Sequence, residues 1–280
     1  MRTRIISAVV GLVIVFAVLA FHKTMILPIA VAAIVIIMLY ELLRAVKMHD
    51  CIPVLCAVEL GGISVPILYG LDMEKYIFPI NLAAVFVVFL TWLRNHKTYK
   101  YDQIMFSLAC MLLIPYSMTT IVKLDRYSES HGLLFLILGL GGAWLADSGA
   151  YFTGVAIGKH KLCPEISPKK TIEGFIGGIV TDAVIFVAID IVYSNFFAPE
   201  HSLPKVSACL VMALAGAVCG VVGTIGDLSA SMIKRQIGFK DYGNIMPGHG
   251  GMMDRFDSVL FVAPTFYAFI SLILGEMRLN

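Results

Sequence analysis

Residues 5–21 read IISAVVGLVIVFAVLAF, an apolar run without a single charge, and eight comparable runs follow it along the chain. A bilayer core of about 30 Å needs roughly 20 apolar residues in helical form, because each helical residue rises about 1.5 Å. Hydrocarbon offers no partners to backbone N–H and C=O groups, so a spanning segment satisfies them within a helix or a closed barrel. A barrel strand would alternate apolar and polar residues over about 10 positions, whereas these runs are apolar throughout. Composition agrees: 59% of the 280 residues are hydrophobic and 14% are charged, against about 25% charged in a soluble domain. The expected fold is therefore all-α, a polytopic integral membrane helical bundle. Its transmembrane helices number about nine, near 5–21, 24–43, 52–71, 76–93, 104–121, 133–158, 174–193, 206–233 and 256–277.

Charge orients such a bundle. Of the 21 Lys and Arg residues, 15 lie in the amino-terminal segment and in loops 44–51, 94–103, 159–173 and 234–255, which all fall on one side. The positive-inside bias makes that side cytoplasmic and places the carboxyl terminus opposite, in a multi-pass protein of the cell (inner) membrane. Residues 1–21 also have the basic start of a signal peptide, but their apolar core exceeds the usual length, so an uncleaved first span is expected. The formal charge of +2, without basic stretches interleaved with aromatics, gives no ground for a nucleic-acid partner. Six cysteines at 51, 56, 110, 163, 209 and 219 form no CxxC pair and read as small buried hydrophobes.

Polar chemistry is concentrated late in the chain, at 144–173 and 224–258. Residues 1–130, with spans 1–5, therefore read as an amino-terminal transmembrane scaffold. Residues 131–280, with spans 6–9 and cytoplasmic loops 159–173 and 234–255, read as the catalytic region. Glu59, inside the third span, divides evenly between a functional acid and one that faces a polar bundle interior. Gly174 with Gly178, and Gly216 with Gly220, have the small-xxx-small spacing that lets helices approach closely.

The most informative stretch begins where the eighth run meets Asp227. If that helix continues, Asp227, Ser231, Lys234 and Arg235 fall on one stripe at i, i+4, i+7 and i+8, with about 10 Å of axial reach from Asp227 to Lys234. A carboxylate near lipid depth is costly unless paired, hydrated or bound to metal. Beyond it, Met246-Pro-Gly-His-Gly-Gly251 is a loop whose glycines admit close approach of backbone to ligand oxygens. Asp254, Asp257 and Ser258 then fall at i, i+3 and i+4 if the last helix begins near Met252, and the free amides of its first turn suit an anion. Asp227 and Asp254 suit a hard divalent cation such as magnesium. Lys234, Arg235, Lys240 and Arg255 suit phosphates, and His249 either donates to an oxygen or shapes the loop. These residue types point to phosphoryl chemistry without choosing a nucleotide.

A second cluster runs from Trp144-Leu-Ala-Asp147-Ser148-Gly-Ala-Tyr151 to Ser167-Pro-Lys169-Lys170-Thr171-Ile-Glu173-Gly174. It is not a P-loop: three residues, not four, separate Gly154 from Gly158, and His160 rather than Ser or Thr follows Lys159. Lys169 and Lys170 serve either a site or the membrane surface. Thr171 and Glu173 also suit caps of the seventh span.

The stretch SMIKRQIGFKDYGNIMPGHGGMMDRFD, Ser231 to Asp257, resembles the signature of the phosphatidate cytidylyltransferase family, and DSGAY and SPKKTIEG resemble that family's other characteristic segments. The likeness covers roughly 140–260; residues 1–130 match only in hydropathy. It implies a magnesium-dependent reaction in which phosphatidic acid attacks the α-phosphorus of CTP, giving CDP-diacylglycerol and pyrophosphate at the lipid bilayer. Carried over by position, Asp227 and Asp254 would be the metal carboxylates, with a second, monovalent cation such as K+ left open, as is a homodimer. Lys234 and Arg235 would act on the substrate phosphates. Ser231, Lys240, Asp241, His249, Arg255 and Asp257, with Asp147, Ser167, Lys169 and Lys170, complete the candidate substrate site. The rival expectations are a CDP-archaeol synthase, a polyprenol kinase, an inactive scaffold, and an ion-coupled transporter that would use Asp147, Asp182, Asp190 and Asp227.

Overall fold

The computed structural model describes residues 2–196, 205–245 and 250–277. The apolar runs are helices: α1 (Arg2–Ala20), α2 (Ile26–Ala45), α3 (Ile52–Gly70), α4 (Ile77–Arg94), α5 (Tyr101–Arg126), α6 (Gly132–Ile157), α7 (Ile172–Phe196) and α8 (Lys205–Ile237). A single turn, α9 (Met253–Phe256), precedes α10 (Val259–Met277). Eight spans among the described residues are long and apolar enough to cross a bilayer, and α1 occupies the first of the nine expected positions. The chain is an all-α, multi-pass membrane protein.

Two compact units divide it: Met1–Val122 with Gln236–Phe256, and Lys123–Arg235 with Asp257–Asn280. In the first, α2 and α5 bury Val35, Leu39, Leu42, Met111 and Met118, and α3 approaches both: a Cβ at Gly62 would run into Leu39 and one at Gly61 would stand 2.9 Å from Met111. Polar links are sparse: Asn81 Nδ2 donates to Ser64 Oγ at 3.3 Å and Gln103 Nε2 to the Val46 carbonyl at 2.8 Å. Large apolar side chains on α4, among them Phe78, Phe86, Leu90 and Leu93, remain exposed and suit lipid.

In the second unit, the small residues bring helices together as their spacing predicts. A Cβ at Gly178 of α7 would stand 2.9 Å from the Ala146 carbonyl of α6, and one at Gly220 of α8 3.0 Å from Ile179 Cα of α7. Phe186 and Phe266 fill the core edge to face at 5.5 Å.

Two features differ from the sequence expectation. Loop 159–173 contains an antiparallel hairpin, β1 (Lys161–Cys163) and β2 (Ser167–Thr171), with Lys161 opposite Thr171 and Cys163 opposite Ser167. The last helix does not run unbroken from Met252. Asp257 Oδ1 accepts the Ser258 amide at 2.8 Å, and the Ser258 carbonyl then receives the amides of Phe261 and Val262 to start α10. A side chain that competes for its neighbour's amide ends one helix and opens the next.

Candidate active site

α8 continues without interruption past Asp227 to Ile237, so Asp227, Ser231, Lys234 and Arg235 do lie on one helical stripe. The hairpin lies along that stripe at two points: Lys170 forms an ion pair with Asp227, and Arg235 Nε donates to the Ile166 carbonyl at 3.4 Å. The hairpin is anchored in turn at its base. Thr171 Oγ1 accepts the Gly174 amide at 3.1 Å as the cap of α7, and Ile172 N donates to the His160 carbonyl at 2.9 Å. The Glu173 carboxylate turns instead to the segment just after α6, where it accepts the Lys159 and His160 amides, with His160 Nδ1 at 2.6 Å.

Beside Asp227 stand two more acids of the same unit. Asp257, only 6% exposed, lies within electrostatic reach of Asp227 and Asp147, which repel it, and of Lys234, which attracts it. Ser258 Oγ donates to Asp147 Oδ2 at 3.4 Å. Asp147, Lys170, Asp227, Lys234, Asp257 and Ser258 therefore form one cluster of acids and cations. Deeper in the helices, Asp182 is fully buried with no hydrogen-bond partner on either oxygen among the described residues, and Asp147 is the charge that acts on it. The Glu59 oxygens are likewise buried without a partner.

In the first unit, Asp254 Oδ2 accepts the amides of Tyr242 at 2.9 Å and Gly251 at 3.0 Å. The next two amides do not await an external anion, as the first-turn expectation had it. Glu41 of α2 takes both, Met252 N on Oε1 at 3.0 Å and Met253 N on Oε2 at 2.9 Å.

A model of the cytidylyltransferase family matches residues 2–273. The chain belongs to that family. Among its relatives, the phosphatidate cytidylyltransferase of Bacillus subtilis (strain 168) is 35% identical over 214 residues, 76% of this chain and 71% of that protein. The phosphatidate cytidylyltransferase of Staphylococcus aureus (strain COL) is 32% identical over 266 residues, 94% of this chain and 96% of that protein. That of Staphylococcus haemolyticus (strain JCSC1435) is 41% identical over 137 residues, 49% of each. The likeness reaches the amino-terminal half, where the sequence offered only hydropathy.

Within this cytidylyltransferase-family chain the remaining candidates differ in exposure. Lys169, Lys240, Asp241 and Arg255 are exposed, Ser167 and Ser231 are half-buried, and His249 lies outside the described residues. Glu41 is the residue that sequence reading missed. Its only signal was an acid inside an apolar run, the same signal that drew attention to Glu59.

Proposed function

We propose that the chain transfers the CMP moiety of CTP to phosphatidic acid, giving CDP-diacylglycerol and pyrophosphate, with the cluster around Asp227 at its active site. The observation that carries this reading is the pairing of Asp227 with Lys170, and the meeting of Asp257 with Asp227, Lys234 and Asp147, on the signature, the helix that leads into it, and the SPKKT and DSGAY segments. Such a cluster suits a ligand that brings both anionic phosphate and a cation.

The donors are hard oxygens, and among the described residues no group of three or more His, Cys, Asp or Glu is set to hold a metal alone. That fits magnesium, which takes one or two protein carboxylates and completes its shell with water and substrate phosphates. Asp227 and, by its place in the signature, Asp254 would hold it, with Asp257 beside Asp227. Bound there, the ion would neutralise charge on the transferring and leaving oxygens.

The chain's own residues do the rest. Lys170, Lys234 and Arg235 offset phosphate charge and hold CTP in line with the lipid phosphate. An oxygen of phosphatidate bonds to the α-phosphorus while the bond to the β-phosphate oxygen breaks, and pyrophosphate leaves with that electron pair. Phosphatidate is already ionised, so no general base is needed, and Asp241 has no proton to move. The lipid phosphate sits at the interface and CTP arrives from the cytosol, which supports a cytoplasmic site and amino terminus, as does the bias of basic residues.

Purified protein incubated with labelled CTP, phosphatidate and magnesium is expected to form CDP-diacylglycerol. Asp227→Asn and Asp254→Asn are each expected to lower the rate by about 100-fold or more, the scale of losing one transition-state electrostatic group. Wild-type inactivity across lipids of varied acyl chain would refute the activity, and full activity in both variants would refute the site.

A further inference from the structure

We propose that Glu41 is a positioning residue for the Gly250–Asp254 loop, a carboxylate carried by α2 that fixes the backbone on which Asp254 is mounted. This rests on the function proposed above. The described loop residues alone do not account for their own geometry. Gly250 has φ +86°, in the left-handed region that glycine tolerates best, and α9 is one turn long, too short to hold itself. Three consecutive amides follow, and carboxylates hold all three: Asp254 takes Gly251, and Glu41 takes Met252 and Met253, one on each oxygen.

The fork is tight. Glu41 is 2% exposed, and a Cβ at Gly251 would lie 2.6 Å from both of its carboxylate oxygens, so the acid presses directly on the loop backbone. Tyr242 N, which donates to the same Asp254 oxygen as Gly251 N, belongs to the same assembly. The charged groups that act on Glu41 are Asp254, which repels it, and Arg44 one turn along α2, which attracts it. A carboxylate buried in an apolar helix is costly unless hydrogen-bonded, and these two amides satisfy it, so α2 and the loop hold each other. A shift of the loop would strand a charge inside the protein. Outer-shell partners of this kind orient metal-binding carboxylates, and their loss typically reduces metal affinity or activity by about 10–100-fold.

Glu41→Gln tests this, because the carboxamide keeps the shape but turns an NH2 donor toward one of the two amide donors. Glu41→Asp keeps the charge and shortens the reach. In the full-length protein in detergent, without metal or nucleotide, hydrogen exchange at Met252 and Met253 is expected to accelerate in Glu41→Gln. In the CMP-transfer assay, the magnesium concentration for half-maximal rate is expected to rise about 10-fold or more, with the KM for phosphatidate within about twofold of wild type. Glu41→Asp is expected to fall between the two. Unchanged exchange at these amides, or altered exchange with an unchanged magnesium response, would overturn the proposal. Loss of the folded state in both variants would also overturn it, assigning Glu41 to folding alone. A wild-type protein that transfers no CMP would refute the proposed function instead, while the exchange result still decides whether Glu41 holds the loop.

Discussion

Lys169 and Lys170 are neighbours in sequence, yet they reach different surroundings. Lys170 is paired with Asp227 at 21% side-chain exposure, while Lys169 is exposed. A hydrogen bond to a charged group is worth about 1.5–3 kcal/mol, or roughly tenfold and more in rate or affinity. Lys170→Met is therefore expected to lower kcat/KM for CTP by at least about tenfold, and Lys169→Met by less than about threefold, as for an exposed charge. Steady-state kinetics on the two variants check the asymmetry, and equal effects would argue that the pair with Asp227 is incidental. Sequence could nominate both lysines but could not rank them, because the ranking depends on which face of β2 meets α8. Glu41 was harder still to find. Its partners are backbone amides 211 and 212 residues away, and backbone has no sequence signature. Thr171 was readable as a cap because that bond is local, three residues along the chain.

At the scale of elements, the helices were legible because bilayer thickness dictates both their length and their apolarity. The continuation of α8 beyond Asp227 was legible for a related reason, since nothing in residues 227–237 breaks a helix. The hairpin was not, since β1 has three residues and β2 has five, one of them Pro168, too little for a periodic signal. The break before α10 escaped for the opposite reason: the i, i+3, i+4 pattern of Asp254, Asp257 and Ser258 suits a continuous helix, and a single side-chain bond from Ser258 N to Asp257 overrides it. Packing of α7 on α8 gives a test at this scale. A Cβ at Gly216 would stand 2.5 Å from the Asp182 carbonyl oxygen and 2.9 Å from Ala183 Cα, both backbone atoms that cannot rotate away. Gly216→Val is expected to cost about 1–3 kcal/mol and to lower the thermal midpoint in detergent by several degrees. Gly11→Ala, whose Cβ would meet nothing within 4 Å, is expected to leave the midpoint unchanged. Equal midpoints for wild type and Gly216→Val would contradict the close helix crossing.

Over the whole molecule, the family signature is shared between the two compact units: Gln236–Phe256 belongs with the amino-terminal helices, while Ser231–Arg235 and Asp257 belong with α6, α7 and α10. The amino-terminal helices are thus more than a hydrophobic support, since one of them supplies the acid that holds the Gly251–Asp254 segment. Sequence alone assigned the chemistry to the carboxyl-terminal half because conspicuous polar residues cluster there. The direction of transfer is the central claim, and the fate of label from CTP tests it most directly. With purified protein, phosphatidate and magnesium, label in the α-phosphate of CTP is expected in the lipid product, and label in the γ-phosphate in pyrophosphate. Label from the γ-phosphate in the lipid would identify a kinase, and would contradict CMP transfer.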